Sequence, residues 1–204
     1  MNPIEFNARA LRRIALTTCQ DKTRPHLCAM RFRPSDVVAT NGTILVRVPL
    51  PHDPERDFVL PSMPTVETVS RLHRSARVTL TRGDGEVRIS AGLGYSFVIS
   101  DDPDISVDRY PSVEVVINAT QDVGAVADVH ISASMWIRVG QLARDLMPDD
   151  GAFSSQMIPY APDDAPVRIL KAGCVPAKGG GNPAHIAFAT KHGDALAVVM
   201  PVRR

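Results

Sequence analysis

The sequence predicts an α+β fold in which a strand–helix–strand–strand–strand unit is written three times and its sheets are antiparallel. Three observations predict it. Helical spacing of apolar residues is confined to three short stretches, residues 8–20, 65–74 and 132–146. Apolar runs of strand length meet at tight turns, Thr40-Asn-Gly42 and Gly83-Asp-Gly85, where chain reversal is cheap. Each helical stretch is followed by further strand patterns, so the same order recurs at a period longer than a solenoid repeat.

The first unit opens on the alternating Ile4-Glu-Phe6. Asn7 is suited to cap the helix that follows, with Leu11, Ile14 and Ala15 on one side and Arg9, Arg12 and Arg13 largely on the other. Residues 21–25 break it. Residues 27–32 read as a strand with Leu27, Ala29 and Arg31 on one face and Cys28, Met30 and Phe32 on the other. Residues 36–39 and 44–48 are the arms of the Asn-Gly hairpin, and the proline- and charge-rich residues 49–57 are a linker.

The second unit starts with residues 58–60. Ser62 is placed to cap and Pro64 suits a first helical turn. Val66, Val69 and Leu72 face a core, leaving Arg71 and Arg74 on the other side. Residues 76–81, 86–90 and 95–100 are its strands. The acidic, irregular residues 101–108 and then Arg109-Tyr-Pro111 lead into the apolar run 113–117.

The third unit begins with the short extended residues 129–131. Ser132 or Ser134 caps a helix with Met135, Val139, Leu142 and Leu146 on one face. Residues 147–165 form an irregular insertion, and residues 174–183, with Gly179-Gly-Gly181, a loop. Residues 167–171, 186–190 and 195–202 are three more strands. Ala195 to Val199 is apolar throughout, so the end of the chain reads as a buried strand rather than a polar tail. Pro201 has no amide hydrogen to donate, so the ladder should stop there or lie on an edge. The residues Val199-Met-Pro-Val202 then form an apolar lip containing an adaptable methionine.

The totals exclude several classes. With 204 residues, 44% hydrophobic and 22% charged, the chain is long enough for a real core. A net charge of +1 means that any nucleic-acid role must rest on charge gathered on one face. Aromatics at 5% argue against binding single strands by base stacking. Cys19, Cys28 and Cys174 are odd in number and contain no Cys-x-x-Cys pair, which argues against a disulfide framework or a zinc site. The sequence contains no membrane-length apolar run and no signal-peptide core, so no membrane partner and a cytoplasmic location are expected. Motifs of nucleophilic, zinc and P-loop chemistry are absent: Lys178-Gly-Gly-Gly181 lacks the Gly-Lys-Ser/Thr that would complete a phosphate loop. The six histidines are scattered, and Asp101-Asp-Pro-Asp104, Asp149-Asp150 and Asp163-Asp164 read as solvated turns. No catalytic residue, metal or cofactor is expected.

Three stretches together resemble the bacterial DNA polymerase III sliding clamp, the beta subunit. Thr23-Arg-Pro-His-Leu27 followed by Ala39-Thr-Asn-Gly-Thr-Ile-Leu45 is similar to the family's stretch ending in Ala-Thr-Asp-Gly-His-Arg-Leu. Gly94-Tyr-Ser-Phe-Val-Ile-Ser100 and Arg109-Tyr-Pro-Ser112 resemble the strand and the Arg-Phe-Pro-Asp-Tyr run that close the clamp's middle domain. Val198-Val-Met-Pro-Val-Arg203 is similar to the terminal Val-Val-Met-Pro-Met-Arg. The stretches fall in the family's order. Residues 1–118 resemble one complete clamp domain of two units, and residues 119–204 a partial one, a single unit with the C-terminal tail.

The resemblance implies a DNA-clamp fold, with helices lining a channel and sheets outside. It implies a processivity factor of DNA replication or repair that binds duplex DNA without regard to sequence. Arg9, Arg12 and Arg13, Arg71 and Arg74, and Arg138 would face phosphates. It also implies a groove for peptides of a DNA polymerase or clamp loader. Carried over, the groove residues are Leu27, Thr40, Gly42, Leu45, Pro111, Val116, Val198, Met200, Pro201, Val202 and Arg203. The chain departs from the family at Asn41 for Asp, Thr43 for His, Ile44 for Arg, Ser112 for Asp and Val115 for a basic residue, which makes the groove less charged. Clamp rings are built from twelve such units, so four chains of three units would close a homo-oligomeric ring. In that ring the first and third units would offer the sheet edges that pair head to tail. The rival reading is a clamp-fold adaptor or decoy that binds partner proteins and never encircles DNA.

Overall fold

The computed structural model of the chain describes residues 2–50, 54–119, 133–146, 169–174, 184–190 and 193–199. The first unit comprises strand β1 (Ile4–Asn7), helix α1 (Ala8–Ala15) and strands β2 (Ala29–Phe32), β3 (Asp36–Thr40) and β4 (Ile44–Pro49). The second comprises β5 (Phe58–Pro61), α2 (Ser62–Val69), β6 (Arg77–Arg82), β7 (Glu86–Ala91) and β8 (Tyr95–Ser100). A short helix α3 (Glu114–Ala119) follows. The third unit shows α4 (Ala133–Asp145), β9 (Ile169–Cys174), β10 (Ala184–Thr190) and β11 (Gly193–Val199). The expected strand at residues 129–131, the insertion at 147–165 and most of the 174–183 loop lie outside the described residues, as does the stretch from Met200 onward.

Local chemistry explains most element ends. Asn7 caps α1, its Oδ1 accepting the Arg9 amide at 2.9 Å. The helix was expected to reach residue 20 but stops at Ala15. There the Thr17 and Thr18 hydroxyls donate to the Arg13 and Ala15 carbonyls at 3.1 and 2.7 Å, tying off the last turn. Leu27 belongs to a single 3-10 turn (Pro25–Leu27) rather than to β2. Helix α2 starts earlier than expected: Pro61 holds the cap position and Ser62 is the first helical residue, its buried hydroxyl without a partner among the described residues. The apolar run at 113–117 contributes to helix α3.

The strands form two sheets, one of four strands in the order β1-β6-β7-β8 and one of seven in the order β5-β2-β3-β4-β11-β10-β9, and every strand pair is antiparallel. The first two units exchange their opening strands: β1 pairs with β6, Ile4 opposite Leu80, and β5 pairs with β2, Leu60 opposite Met30. The third unit joins the first through β4 and β11, with Val46 opposite Ala197. In space, therefore, the first unit lies between the other two.

β11 of the same chain fills the edge of β4, so the edge strand that the first unit retains is β1, at one end of the four-stranded sheet. Sequence order suggested that the middle unit would be central. Most strands pair with a neighbour in the chain, but the β4–β11 joint does not follow chain order.

Two apolar layers sandwich the larger sheet. On the helix side, Leu11, Ile14, Val69, Val139 and Leu142 pack on Met30, Phe32, Val46, Ala197 and Val199. Phe32 stacks on Phe58 at 4.6 Å, and Phe6 meets it edge-on at 6.1 Å. On the outer side, Ala29, Val38, Leu45, Val59 and Val198 are covered by Ile105, Tyr110, Val113 and Ile117 of the segment after β8. Both faces of the central strands are thus buried, which is why β3 is buried at every residue and lacks a polar alternation.

Candidate functional site

The turn between β3 and β4 is held by its own side chains. Asn41 Oδ1 accepts the amides of Thr43 and Ile44 at 2.9 and 2.8 Å and the Thr43 hydroxyl at 2.8 Å. Thr40 Oγ1 donates to the Ile44 carbonyl at 2.8 Å and accepts the Gly42 amide at 3.1 Å. Gly42 has φ +86°, a left-handed conformation that explains glycine at this position. The asparagine at the position where the clamp family has aspartate therefore makes three acceptor contacts without introducing a charge.

Strand β11 runs antiparallel to β4 and arrives beside this turn: Val198 stands opposite Leu45, and Val199 opposite Ile44. Leu45 and Val198 belong to the outer apolar layer, with Val116, Val107 and Leu196 partly buried against it. Of the expected groove residues, the fold thus gathers Leu45, Val116 and Val198. Thr40 and Gly42 sit at the turn, Leu27 is buried in the 3-10 turn before β2, and Pro111 is half-buried next to Tyr110. Met200, Pro201, Val202 and Arg203 lie outside the described residues.

Residues not singled out from the sequence anchor the covering segment. The Tyr110 hydroxyl donates to the Val38 carbonyl at 3.2 Å, and burial drives its ionisation well above the ordinary tyrosine range despite the nearby Arg31 and Arg33. The Arg31 guanidinium lies 6.0 Å from the centre of the Tyr110 ring and pairs with Asp57 at 2.6 Å. Arg33 binds the buried Asp36 through two nitrogens, at 2.5 and 2.7 Å, and also binds Glu114 at the start of α3. Burial opposes the charge on Arg33, but these two carboxylates outweigh it and raise its pKa. Arg47, two residues beyond Leu45, has its Nε 3.3 Å from Asp36 Oδ2. The alternation of arginine with apolar residues in Arg31, Arg33 and Arg47 was the available signal.

The helix side shows a different disposition of the expected phosphate contacts. Arg9 Nε and Arg13 Nε lie 2.5 and 2.6 Å from the two carboxylate oxygens of Asp145, whose side chain is 0% exposed. Arg13 also donates to Gln141 Oε1 at 3.0 Å, and Arg12 to Ser70 Oγ at 2.9 Å. The α1 arginines thus tie α1 to α4 on one side and to the end of α2 on the other. Arg71, Arg74 and Arg138 are exposed. An aspartate in the last turn of α4, where the helix dipole disfavours a negative charge, was a sequence signal for a nearby cation.

The remaining candidate chemistry is sparse. Among the described residues, no three His, Cys, Asp or Glu side chains are placed to share a metal ion, and no helix is long and apolar enough to cross a membrane. Cys19 and Cys28 are free thiols, each half-buried, and burial first and the neighbouring Cys19 second push the Cys28 thiol up.

Paired antiparallel sheets backed by helices, exchanged opening strands and sheets continued from one unit to the next through final strands define the DNA-clamp fold. The solved structures that share it are DNA polymerase sliding clamps. A sliding clamp from Pseudomonas aeruginosa superposes with a TM-score of 0.51 at 15% identity, covering 99% of this chain and 67% of that one. A DNA polymerase III subunit beta from the same organism gives 0.50 at 14%, covering 100% and 67%. The subunit beta of Borrelia burgdorferi gives 0.51 at 10%, covering 100% and 64%. The chain is clamp-like in fold and spans about two thirds of the length of these clamps. No family model matches the chain, and no curated protein matches it significantly.

Proposed function

We propose that the protein is a sliding-clamp-like processivity factor of DNA replication or repair, a non-enzymatic scaffold that binds duplex DNA and short peptides of a polymerase or clamp loader. Residues 1–118 serve as a complete clamp domain and residues 119–204 as a partial one, working in the cytoplasm. The observation that carries this reading is the meeting of the β11 end with the Thr40–Thr43 turn, Val198 opposite Leu45. That meeting brings two segments of the expected groove onto one apolar layer, with Val116 of α3 packed against it. The reading assigns Leu27, Thr40, Gly42, Pro111, Met200, Pro201, Val202 and Arg203 to the same groove. Arg47, on the same strand as Leu45, supplies a cation to orient a polar or acidic group of the peptide. On the opposite side, Arg71, Arg74 and Arg138 offer exposed charge to phosphates, with no base-specific contact required.

Fluorescence anisotropy with a labelled clamp-binding peptide tests the groove. The full chain should bind, and a chain lacking residues 200–204 should not, with its melting transition retained. Equal binding by both chains would remove the tail from the groove. Retention on circular against linearised duplex DNA tests encirclement, since a closed ring stays on the circle and slides off free ends.

A second reading is favoured by one observation: Asp145 occupies the guanidinium groups of Arg9 and Arg13, which lowers the charge available on the helix side. In that reading the protein is an adaptor or decoy that binds partner proteins without encircling DNA. Peptide binding together with equal loss from circular and linear DNA would select it.

A further inference from the structure

The connection between α1 and β2 brings two of the three cysteines together. Cys19 lies beyond the end of α1, and Cys28 immediately precedes β2. A run of short turns folds the residues between them back on themselves. Asp21 Oδ1 accepts the Thr23 amide and hydroxyl at 3.0 and 2.8 Å. The Arg24 amide donates to the Asp21 carbonyl at 3.0 Å, the Leu27 amide to the Arg24 carbonyl at 2.9 Å and the Cys28 amide to the Pro25 carbonyl at 2.9 Å. The Cys19 amide closes the loop by donating to the Leu27 carbonyl at 2.9 Å, so Cys28 directly follows a bonded neighbour of Cys19.

The two sulfurs converge on the backbone of one residue. Cys19 Sγ accepts the Asp21 amide at 3.3 Å, and Cys28 Sγ donates to the Asp21 carbonyl at 3.3 Å. Cys28 Sγ also lies 3.5 Å from the Arg24 carbonyl. The contacts are unlike, one sulfur accepting and the other donating. Burial first, and the neighbouring Cys19 second, hold the proton on Cys28, so the first attack on an oxidant falls to Cys19. Both side chains are half-buried, and residues 20–24 between them are all exposed, which leaves the loop open to a small oxidant.

We propose that Cys19 and Cys28 form a redox modification site, a dithiol that a peroxide converts to an intramolecular disulfide and a small thiol reductant restores. The Cys19 thiolate attacks the O–O bond of hydrogen peroxide. Its sulfur becomes a sulfenic acid, and the departing hydroxide takes the proton that the thiol released, giving water. Cys28 then gives up its proton and attacks the Cys19 sulfur. The S–S bond forms, the S–O bond breaks, and hydroxide leaves with that proton as a second water. Two thiols are oxidised and one peroxide is reduced. The new bond ties the end of α1 to the start of β2 and fixes the turn that holds Leu27. It goes beyond the proposed function, since it requires neither DNA nor peptide.

Peptide mapping of the native full chain tests the site, after exposure to hydrogen peroxide, alkylation of remaining thiols and tryptic digestion without reductant. Lys22 lies between the cysteines, so cleavage there separates residues 14–22 from residues 23–31 unless a disulfide joins them. The expected result is that linked pair, lighter by two hydrogen atoms, and its loss on treatment with dithiothreitol. This readout uses the parent chain and does not depend on a variant folding. Cys174→Ser should leave the link intact. Cys28→Ser should leave Cys19 as a sulfenic acid that dimedone labels, and Cys19→Ser should show about tenfold less label at Cys28. Alkylated thiols at both positions after peroxide, preferential linkage of either to Cys174, a link that forms only in denaturant, or equal dimedone label in the two variants would overturn the proposal.

Discussion

Val198 of β11 stands opposite Leu45 of β4, and both side chains are buried on the outer face of the larger sheet. One pair of residues thereby performs two tasks. It joins the third unit to the first, and it places the end of β11 beside the turn formed by Thr40 to Thr43. Any change that weakens the joint should also disturb the candidate groove.

The first expected outcome concerns that turn. A methyl group at Gly42 would meet open space, but the φ of +86° there is left-handed, so Gly42→Ala strains the backbone by about 1 kcal/mol without a clash. Asn41→Ala removes three acceptor contacts and should cost about 1 kcal/mol. Chemical denaturation should show both losses. Peptide anisotropy should show a larger proportional loss of binding for the turn variants than for an exposed control such as Glu67→Ala.

Asp145→Asn is expected to loosen the third unit. The buried carboxylate is the counter-charge for Arg9 and Arg13, and its loss should cost roughly 3 kcal/mol. Limited proteolysis should cut the third unit before the first two. If the helix side binds duplex DNA, the same variant should bind it more tightly at low salt. The slope of log K against log salt should then steepen by about 0.9 for each released guanidinium that reaches a phosphate.

Arg71→Ala, Arg74→Ala and Arg138→Ala are expected to weaken duplex binding alike for all sequences, each flattening the salt slope by about 0.9. These side chains are exposed, so melting temperatures should barely change. Unaltered salt slopes in all three would remove the helix side from DNA binding.

Tyr110→Phe is expected to separate from the parent chain in alkali. The ordinary tyrosine value is 10.0, and burial raises that of Tyr110. Below the unfolded value both states are protonated, and the contribution to stability is complete. As pH rises above about 10, only the unfolded chain releases the proton, so stability falls. Denaturation midpoints should therefore drop more steeply above about pH 10 for the parent than for the variant. At neutral pH the variant should be about 1 kcal/mol less stable, having lost the bond to the Val38 carbonyl.

Much of the element order was legible from local patterns. The Asn-Gly turn, the Asn7 cap and the apolar stripe of Leu11 and Ile14 act over a few residues, and each recurs in the structure. Boundaries were less legible. α1 ends early because threonine hydroxyls compete for its carbonyls, and Leu27 leaves its strand because Pro25 starts a 3-10 turn. On the site, the resemblance implied Leu45, Val116 and Val198 as groove residues, and they share one apolar layer, whereas the anchoring roles of Tyr110, Arg33 and Asp36 were not legible. Those roles require a segment beyond β8 to fold back over strands more than sixty residues earlier, as in the Tyr110 bond to Val38.

The sequence by itself determined which stretches are strands and helices, their antiparallel turns and which residues are apolar, because those properties depend on neighbours in the chain. Only the tertiary structure decided which units touch and which charges remain exposed. The Arg13–Asp145 pair spans 132 positions, and the β4–β11 ladder joins the first unit to the third over the second. Such contacts are selected by the matching of sheet edges and by the cost of burying an unpaired charge, and neither leaves a periodic trace in the chain.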